Sequence, residues 1–287
     1  MERYTRSYLQ LIKPGITLSN TLSAVAGFSL ASSMVGFMPG KLVGVIGGIA
    51  LVIASACVVN NIIDRDIDVR MKRTKKREIA SGTISVQTAA VFATILGAIG
   101  FGVLIILTNA LTAALGVLAY LWYVVIYGIA KRTTPLSTVV GGVCGALPPV
   151  AGYTAVTGRL DEVAVVLFLL LMVWQLPHFY AISLFRGKEY AKAKLPVWAV
   201  RYGGASTRHQ MILWIIVFVC AAPLLTFIGK TGVLFAMIMV IIGLYWLTVS
   251  IVHRTKPDDV WARQVFGASL IVLLLMLLAI SIGGYLP

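Results

Sequence analysis

Nine apolar runs, each long enough to cross a hydrocarbon core about 30 Å thick, leave this chain very few folds. They fall at residues 16–36, 42–63, 88–107, 111–130, 136–156, 163–184, 211–228, 233–252 and 265–284. A bilayer offers no water to backbone N–H and C=O groups, so only helices or a closed barrel can span it. The runs are about twenty residues long and lack the ten-residue alternation of a membrane barrel. The sequence therefore predicts an all-α polytopic membrane bundle of about nine transmembrane helices. The balance of 59% hydrophobic to 12% charged residues is that of an integral membrane protein. No connection between runs is long enough to fold alone, so residues 1–287 are expected to form one integral membrane domain. The first run is too long for a signal-peptide core and is expected to stay in the protein.

Orientation follows from the cations. With the N-terminus in the cytoplasm, that side receives Arg3, Arg6 and Lys13, a basic cluster after the second run, and Lys131 and Arg132. It also receives Arg186, Lys188, Lys192, Lys194, Arg201, Arg208, Arg254, Lys256 and Arg263. Of the 24 Lys and Arg, only Lys41, Arg159 and Lys230 then lie outside. The expected topology is a multi-pass cell membrane protein with its C-terminus outside and its polar residues facing the cytoplasm. Two longer loops on that side, at roughly 64–87 and 185–210, are four runs apart and suggest two pseudo-related four-helix halves around a central pocket. The net charge of +14 is spread along one membrane face without a nucleic-acid-binding motif, which argues for lipid and an anionic substrate and against nucleic acid. Cys57, Cys144 and Cys220 sit singly in separate runs without metal or redox spacing, as small core side chains do.

The second run ends in Asn60-Asn61-Ile62-Ile63-Asp64-Arg65-Asp66-Ile67-Asp68. Continued as a helix, this segment puts Asn60, Asp64 and Asp68 at i, i+4 and i+8 on one face, with Asn61 on the adjoining edge. Asp66 points about 200° away from Asp64 at 3.6 residues per turn. Mg²⁺ takes oxygen ligands, keeps several waters, and commonly bridges one or two carboxylates to substrate phosphates, which suits this stripe. Arg65, Arg70, Lys72, Arg73, Lys75, Lys76 and Arg77 interleave with it or follow it. Topology and anionic lipid explain such bases by themselves, but acids contribute little to topology, so the regular Asp spacing points to metal-diphosphate chemistry.

A second constellation closes the sixth run: Trp174-Gln175-Leu176-Pro177-His178-Phe179-Tyr180. Trp174, Gln175 and His178 fall at i, i+1 and i+4, at the depth expected of the Asp stripe. The fourth run adds Tyr123 and Tyr127 at i and i+4, then Lys131-Arg132. Tyrosines are common at membrane interfaces, but cations one turn further on can reach a diphosphate.

At these residues the chain closely resembles the haem O synthase (protohaem IX farnesyltransferase) branch of the UbiA-type intramembrane prenyltransferase superfamily. The resemblance runs over nearly the whole chain: Lys13-Pro14-Gly15, the Asn60 to Asp68 motif, Arg73-Thr74, Arg77, Ser81-Gly82-x-Ile84-Ser85, Tyr127-x-x-x-Lys131-Arg132, Gly145-Ala146-x-Pro148-Pro149-x-x-Gly152 and Trp174-Gln175-x-Pro177-His178-Phe179. The Asp-rich motif marks the superfamily; the Pro-Pro and Trp-Gln-x-Pro-His-Phe segments mark the haem branch. Glu78 stands where the family usually has proline, Glu189-Tyr190 replaces Asp-Tyr, and residues 193–199 depart from the family's loop.

The resemblance implies transfer of a farnesyl group from farnesyl diphosphate to a vinyl group of haem b, with addition of water. It implies Mg²⁺ held by Asn60, Asp64 and Asp68, which form the catalytic set. Arg73, Arg77, Lys131 and Arg132 would bind the diphosphate, and His178, Trp174, Gln175 and Tyr127 would form the haem or acceptor pocket. A haem A synthase or a terminal oxidase assembly would be the neighbour taking the product. Two rival readings are a related prenyltransferase acting on a quinone or chlorophyll-type acceptor, and a membrane transporter. Charges gathered at one face, with none in mid-span, suit a one-sided reaction better than a transport path.

Overall fold

A computed structural model of the chain describes residues 2–287, with side-chain detail from residue 5 onward. The first helix, α1 (Glu2–Leu11), precedes the long α2 (Pro14–Val35). Lys13 turns the chain between them with a positive φ of 49°. Next come α3 (Pro39–Ile63), the single turn α4 (Arg65–Asp68) and α5 (Val86–Leu107). The fourth long helix is composite: α6 (Ala110–Leu121), a π-helical turn at Trp122–Ile126, and α7 (Tyr127–Thr133). There follow α8 (Ser137–Thr157), α9 (Glu162–Phe185), the short α10 (Gly187–Lys192), α11 (Trp198–Ala221), the single turn α12 (Leu224–Phe227), α13 (Val233–Val252) and α14 (Asp258–Ile282). No strand occurs among the described residues.

Eight helices among the described residues are long and apolar enough to cross a membrane. The ninth expected span is α2, 22 residues long. Its Thr17, Ser19, Asn20, Thr21, Ser23, Ser29, Ser32 and Ser33 dilute its hydropathy, and several of these hydroxyls donate back to carbonyls one turn earlier, as Thr21 does to Thr17 at 2.8 Å. Hydrogen bonded within its own helix, a hydroxyl crosses hydrocarbon at much lower cost than a bare one.

The expected loop at 185–210 is a correction. Only residues 186–197 connect the spans, with α10 inside them, and α11 already begins at Trp198. Its first turns carry Arg201, Arg208 and His209, so hydropathy locates the apolar part of the helix and misses its polar extension. Gly203, with φ 79° and ψ 177°, kinks this extension. Arg208 anchors it to the start of α14, donating through Nε to Asp258 Oδ1 at 2.6 Å and through Nη2 to the carbonyl of Lys256 at 2.6 Å.

Among lipid-soluble helices no difference in hydrophobicity drives association, so small residues that allow close approach carry the packing. The α2/α8 crossing illustrates this. A Cβ at Gly27 would collide with the Pro149 carbonyl, and one at Gly152 with the Ala24 carbonyl. Proline at 148 and 149 sits inside α8 without ending it. Helices α2, α8, α9 and α14 pack in a closed sequence around the middle of the bundle; α3, α5 and α6 lie to one side, α11 and α13 to the other. The outward faces carry exposed apolar side chains such as Ile106, Phe227 and Val233.

Candidate active site

One wall of the central cavity begins where α3 ends. Asp64 leaves helical dihedrals (φ −87°, ψ 0°). Its N–H still donates to the Asn60 carbonyl at 2.9 Å, and Asp68 N–H donates to the Asp64 carbonyl at 2.8 Å. The i, i+4 register therefore survives the break, and Asn60, Asp64 and Asp68 remain a stripe facing the cavity. All three side chains are buried. Asn61 departs from the stripe, since its Nδ2 donates to the Leu11 carbonyl at 3.0 Å and ties α3 to α1.

Each residue of the stripe meets a different cation. Lys13 Nζ donates to Asn60 Oδ1 at 2.8 Å. Lys131 Nζ donates to Asp64 Oδ2 at 2.5 Å. Arg77 Nη1 lies 2.9 Å from both carboxylate oxygens of Asp68. Lys13, just ahead of α2, is pulled down to about 8, chiefly by desolvation in the cavity. Arg73 also lines the cavity. The Arg73 backbone N–H donates to Glu189 Oε2 at 3.3 Å, which joins the loop after α4 to the start of α10.

Arg132, expected at the diphosphate, is engaged chiefly behind the stripe, which it reaches only through Nη2 at 3.6 Å from Asp64 Oδ1. It donates to both oxygens of Asp66, at 2.9 and 2.8 Å, and to the Ile63 carbonyl at 2.8 Å, on the outer side of the ridge. Asp66 is half exposed there. The Arg132 hydrogen bond holds the Asp66 carboxyl down at about 2. The two arms of the Lys131-Arg132 pair thus serve opposite faces of the Asp segment.

The facing wall is aromatic and neutral. His178 stacks on Trp174 (centroids 4.9 Å, 27°) and against Phe266 (4.8 Å, 32°), with Phe179 edge-on at 5.1 Å. His178 Nδ1 lies 2.7 Å from Ser269 Oγ, and Trp174 Nε1 donates to the Ser269 carbonyl at 3.0 Å. Gln175 Nε2 donates to the carbonyls of Leu171 (3.0 Å) and Gly142 (3.3 Å). Gly145 leaves the room this amide needs, because a Cβ there would overlap it. The π turn, pinned by the Trp122 Nε1 bond to the Val140 carbonyl at 2.8 Å, carries Tyr123, which stacks on Tyr127 just after it (5.7 Å, 19°). Lys131 Nζ sits 5.4 Å from the Tyr127 ring centroid.

Both walls bound a single cavity of about 890 Å³, near the upper end of small-molecule sites at about 300–1,000 Å³. Its polar mouth holds Lys13, Asn60, Asp64, Asp68, Arg73, Arg77, Lys131 and Arg186. Its depth is apolar, lined by Ile49, Val52, Leu104, Leu115, Leu147 and Ala151, and reaches the level where α5 hands over to α6. Among the sequence candidates, Asn60, Asp64, Asp68, Arg73, Arg77, Tyr127, Lys131, Trp174, Gln175 and His178 all line it, and Arg132 does not. Sequence reasoning missed Phe266, Ser269 and Arg263 on α14. Phe266 and Ser269 stand in an apolar run with no motif around them, and Arg263 just ahead of it is one cytoplasmic cation among many; only the tertiary packing sets them beside α9. Arg263 lies over Phe185 at 4.9 Å, and Arg186 over the same ring at 5.4 Å.

The stripe suits a divalent cation shared with a phosphate ligand. Among the described residues no three His, Cys, Asp or Glu come close enough to hold a metal by themselves. Asp64 Oδ1 is buried with no hydrogen-bond partner; Arg132 Nη2 stands off from it at 3.6 Å, which leaves the oxygen able to take a further cation. Two carboxylates and an amide oxygen, all hard donors, are the partial set Mg²⁺ uses when substrate phosphates complete its shell.

A helical bundle with an acid-and-base mouth opening onto an apolar interior is the architecture of an intramembrane prenyl-transferring enzyme, and the chain belongs to the UbiA prenyltransferase family, whose signature spans residues 20–283. Within the family it is similar to protoheme IX farnesyltransferase 2 of Shewanella sp. (strain ANA-3), at 41% identity over 93% of this chain and 87% of that protein. It is similar also to protoheme IX farnesyltransferase 2 of Chromobacterium violaceum, at 39% identity over 98% and 94%. The fold matches the structure of a digeranylgeranylglyceryl phosphate synthase (TM-score 0.80, 21% identity, 99% of each chain). It matches also a UbiA homolog from Archaeoglobus fulgidus bound to GPP and Mg²⁺ (TM-score 0.67, 16% identity, 96% of this chain and 99% of the other).

Proposed function

We propose that this prenyltransferase moves the farnesyl group of farnesyl diphosphate onto a vinyl group of protohaem IX, giving haem O and diphosphate. The observation that carries the reading is the union, in one cavity, of three cation-matched oxygens at Asn60, Asp64 and Asp68 with the Trp174, Gln175 and His178 wall. Relatives at 39–41% identity bear the name of that activity, and a fold neighbour was solved with a prenyl diphosphate and Mg²⁺.

Asn60, Asp64 and Asp68 would hold Mg²⁺, which supplies Lewis-acid stabilisation of the departing diphosphate. Lys131, Arg77, Arg73 and Lys13 take the diphosphate oxygens. With metal and diphosphate bound, the acids would turn from their internal ion pairs to the metal and the bases to the phosphate oxygens, so that no side-chain charge is left buried and alone. As the bond between the allylic carbon and oxygen breaks, the bases stabilise the charge growing on the leaving group. The terminal vinyl carbon bonds to the allylic carbon, water adds to the inner vinyl carbon, and one proton is released. The apolar depth holds the isoprenoid tail and keeps water from the allylic cation until the new bond has formed. The aromatic wall would take the acceptor, with Tyr127 also lining the cavity.

The basic mouth faces the cytoplasm of a plasma-membrane protein by the distribution of Lys and Arg. Cysteines placed near Lys75 or Arg186 are expected to be labelled only from inside, and one near Arg159 only from outside; the reverse would move the mouth to the other face. The reaction itself is tested by giving the purified protein farnesyl diphosphate, haem b and Mg²⁺ and weighing the product. Haem O formed only with metal present is the expected result. Turnover of a phenolic acid in place of haem would reassign the acceptor.

A further inference from the structure

The bonds around Ser269 fix a proton. Ser269 Oγ lies 2.6 Å from the Phe266 carbonyl and 2.7 Å from His178 Nδ1. A carbonyl only accepts, and two oxygens do not approach to 2.6 Å without a hydrogen between them, so the single hydroxyl hydrogen of Ser269 is on the Phe266 side. The proton in the contact with His178 must then belong to the imidazole: Nδ1–H donates to Ser269 Oγ. In a neutral ring the other nitrogen, Nε2, keeps its lone pair. His178 lines the cavity, whereas Ser269 stands behind it, fully buried and off the cavity surface.

The ring is fixed in direction as well as in tautomer. It is held between Trp174 and Phe266, with Phe179 at its edge. Trp174 is itself tethered to the Ser269 carbonyl. One residue of α14 thus organises two residues of α9, one turn apart, through its backbone and its side chain. A histidine that donates one ring N–H to a fixed acceptor and turns the other nitrogen to an open cavity has the arrangement of a metal-ligating imidazole, in which the outer hydrogen bond sets the tautomer and raises ligand basicity. A neutral histidine that donated to a carboxylate would need its hydrogen on the cavity side, the opposite tautomer, and the aromatic surround disfavours the charged ring that carries both hydrogens.

We infer that Ser269 is a positioning residue that locks His178 as the Nδ1–H tautomer, so that Nε2 serves as an axial ligand to the iron of a metalloporphyrin acceptor. This rests on the reading of haem as acceptor and settles how His178 meets it, through the metal and not through a propionate. Ligation holds the macrocycle on the aromatic wall with its edge, where the vinyl groups are, toward the allylic carbon. The carboxylates of such an acceptor are then left for other groups.

The test uses the full-length protein in detergent or nanodiscs, as wild type, Ser269→Ala, Ser269→Thr and His178→Ala, titrated with ferric protohaem and separately with metal-free protoporphyrin IX. Wild type and Ser269→Thr, which keeps the hydroxyl, should show the Soret and electron paramagnetic signature of imidazole-ligated iron. His178→Ala should lose that signature, and Ser269→Ala should bind protohaem about 10- to 100-fold more weakly, the usual effect of removing such an outer partner. Affinity for metal-free protoporphyrin should stay within about twofold in all four, because that ligand offers the imidazole no iron to bind. Should Ser269→Ala not fold, His178→Gly with added imidazole takes its place, and restoration of the ligated spectrum is expected. An unchanged imidazole signature in His178→Ala, parallel loss of protoporphyrin affinity, or no restoration by imidazole would overturn the inference. Farnesylation of haem by wild type tests the acceptor reading separately: without it that reading fails, whereas haem turnover with iron ligation unchanged in His178→Ala sinks only the ligand assignment.

Discussion

The two walls of the cavity are built on different physics. On the α3–α4 side each of Asn60, Asp64 and Asp68 is matched to a cation, and the Lys131–Asp64 pair is largely removed from solvent on both sides. On the α9–α14 side the groups are neutral, stacked, and hydrogen bonded to backbone or to Ser269. Charge pairs of the first kind are adapted to exchange, since the proposed magnesium diphosphate would offer the same charges in new combinations. Stacked rings of the second kind are adapted to hold a shape, because their attraction depends on area and orientation and changes little with protonation. A donor that must release an anion and an acceptor that must be presented edge-on need these two kinds of surface.

The largest effect that would sharpen this contrast is at the acid wall. Asp64→Ala and Asp68→Ala are expected to lower kcat about 10³-fold, as loss of a preorganised electrostatic partner does. Asp64→Ala should also destabilise the protein by about 3–5 kcal/mol by leaving Lys131 buried and uncompensated. Steady-state rates and thermal melts report the two separately. A normal rate in Asp64→Ala would break the comparison outright.

The walls should also separate in binding. His178→Ala is expected to weaken protohaem about 10- to 100-fold while Mg²⁺-dependent binding of a non-ionising farnesyl diphosphate analogue changes less than about twofold, and Asp64→Ala to do the reverse. Titrating each variant with each ligand decides it. Parallel losses would mean that the walls act as one and that His178 only supports the end of α9.

A smaller effect is expected from Gly145→Ala, which drives a Cβ into the Gln175 amide. Overpacking of this kind costs about 1–3 kcal/mol. Gly102→Ala is the control, because a Cβ there meets nothing within 4 Å. Equal melting temperatures for the two variants would show that the aromatic wall yields more readily than its packing suggests.

The smallest effect belongs to Asp66. Its partner Arg132 is on the outer side of the ridge and the carboxylate is half exposed, so Asp66→Ala should alter stability by about 1 kcal/mol or less and kcat less than about twofold. A loss as large as that of Asp64→Ala would place Asp66 in the metal shell and remove the distinction between the two faces of the segment.

Much of the polar wall was legible in the sequence because it is local. A 3.6-residue period puts Asn60, Asp64 and Asp68 on one face however the rest of the chain is arranged, and the register survived the dihedral break at Asp64. The apolar runs likewise located the bundle's helices, since hydrocarbon filters each segment by its own composition. The same filter misplaced the start of α11, where polar turns continue the helix beyond the apolar zone.

What local pattern could not supply was decided by packing between distant segments. Lys131 and Arg132 are neighbours in sequence with the same charge, yet one turns to Asp64 in the cavity and the other chiefly to Asp66 outside, because adjacent helical residues leave the axis about 100° apart. Lys13 reaches Asn60 only because α1 and α2 are bent about it. Ser269 has no motif to announce it, and its importance exists only where α14 lies against α9. The sequence by itself determined which segments cross the membrane and which short stripe carries the acids, for the bilayer and the helical period act within one segment. Which cation meets which acid, and which proton His178 keeps, are pairwise properties of groups as many as 91 positions apart, and only the tertiary structure brings such groups together.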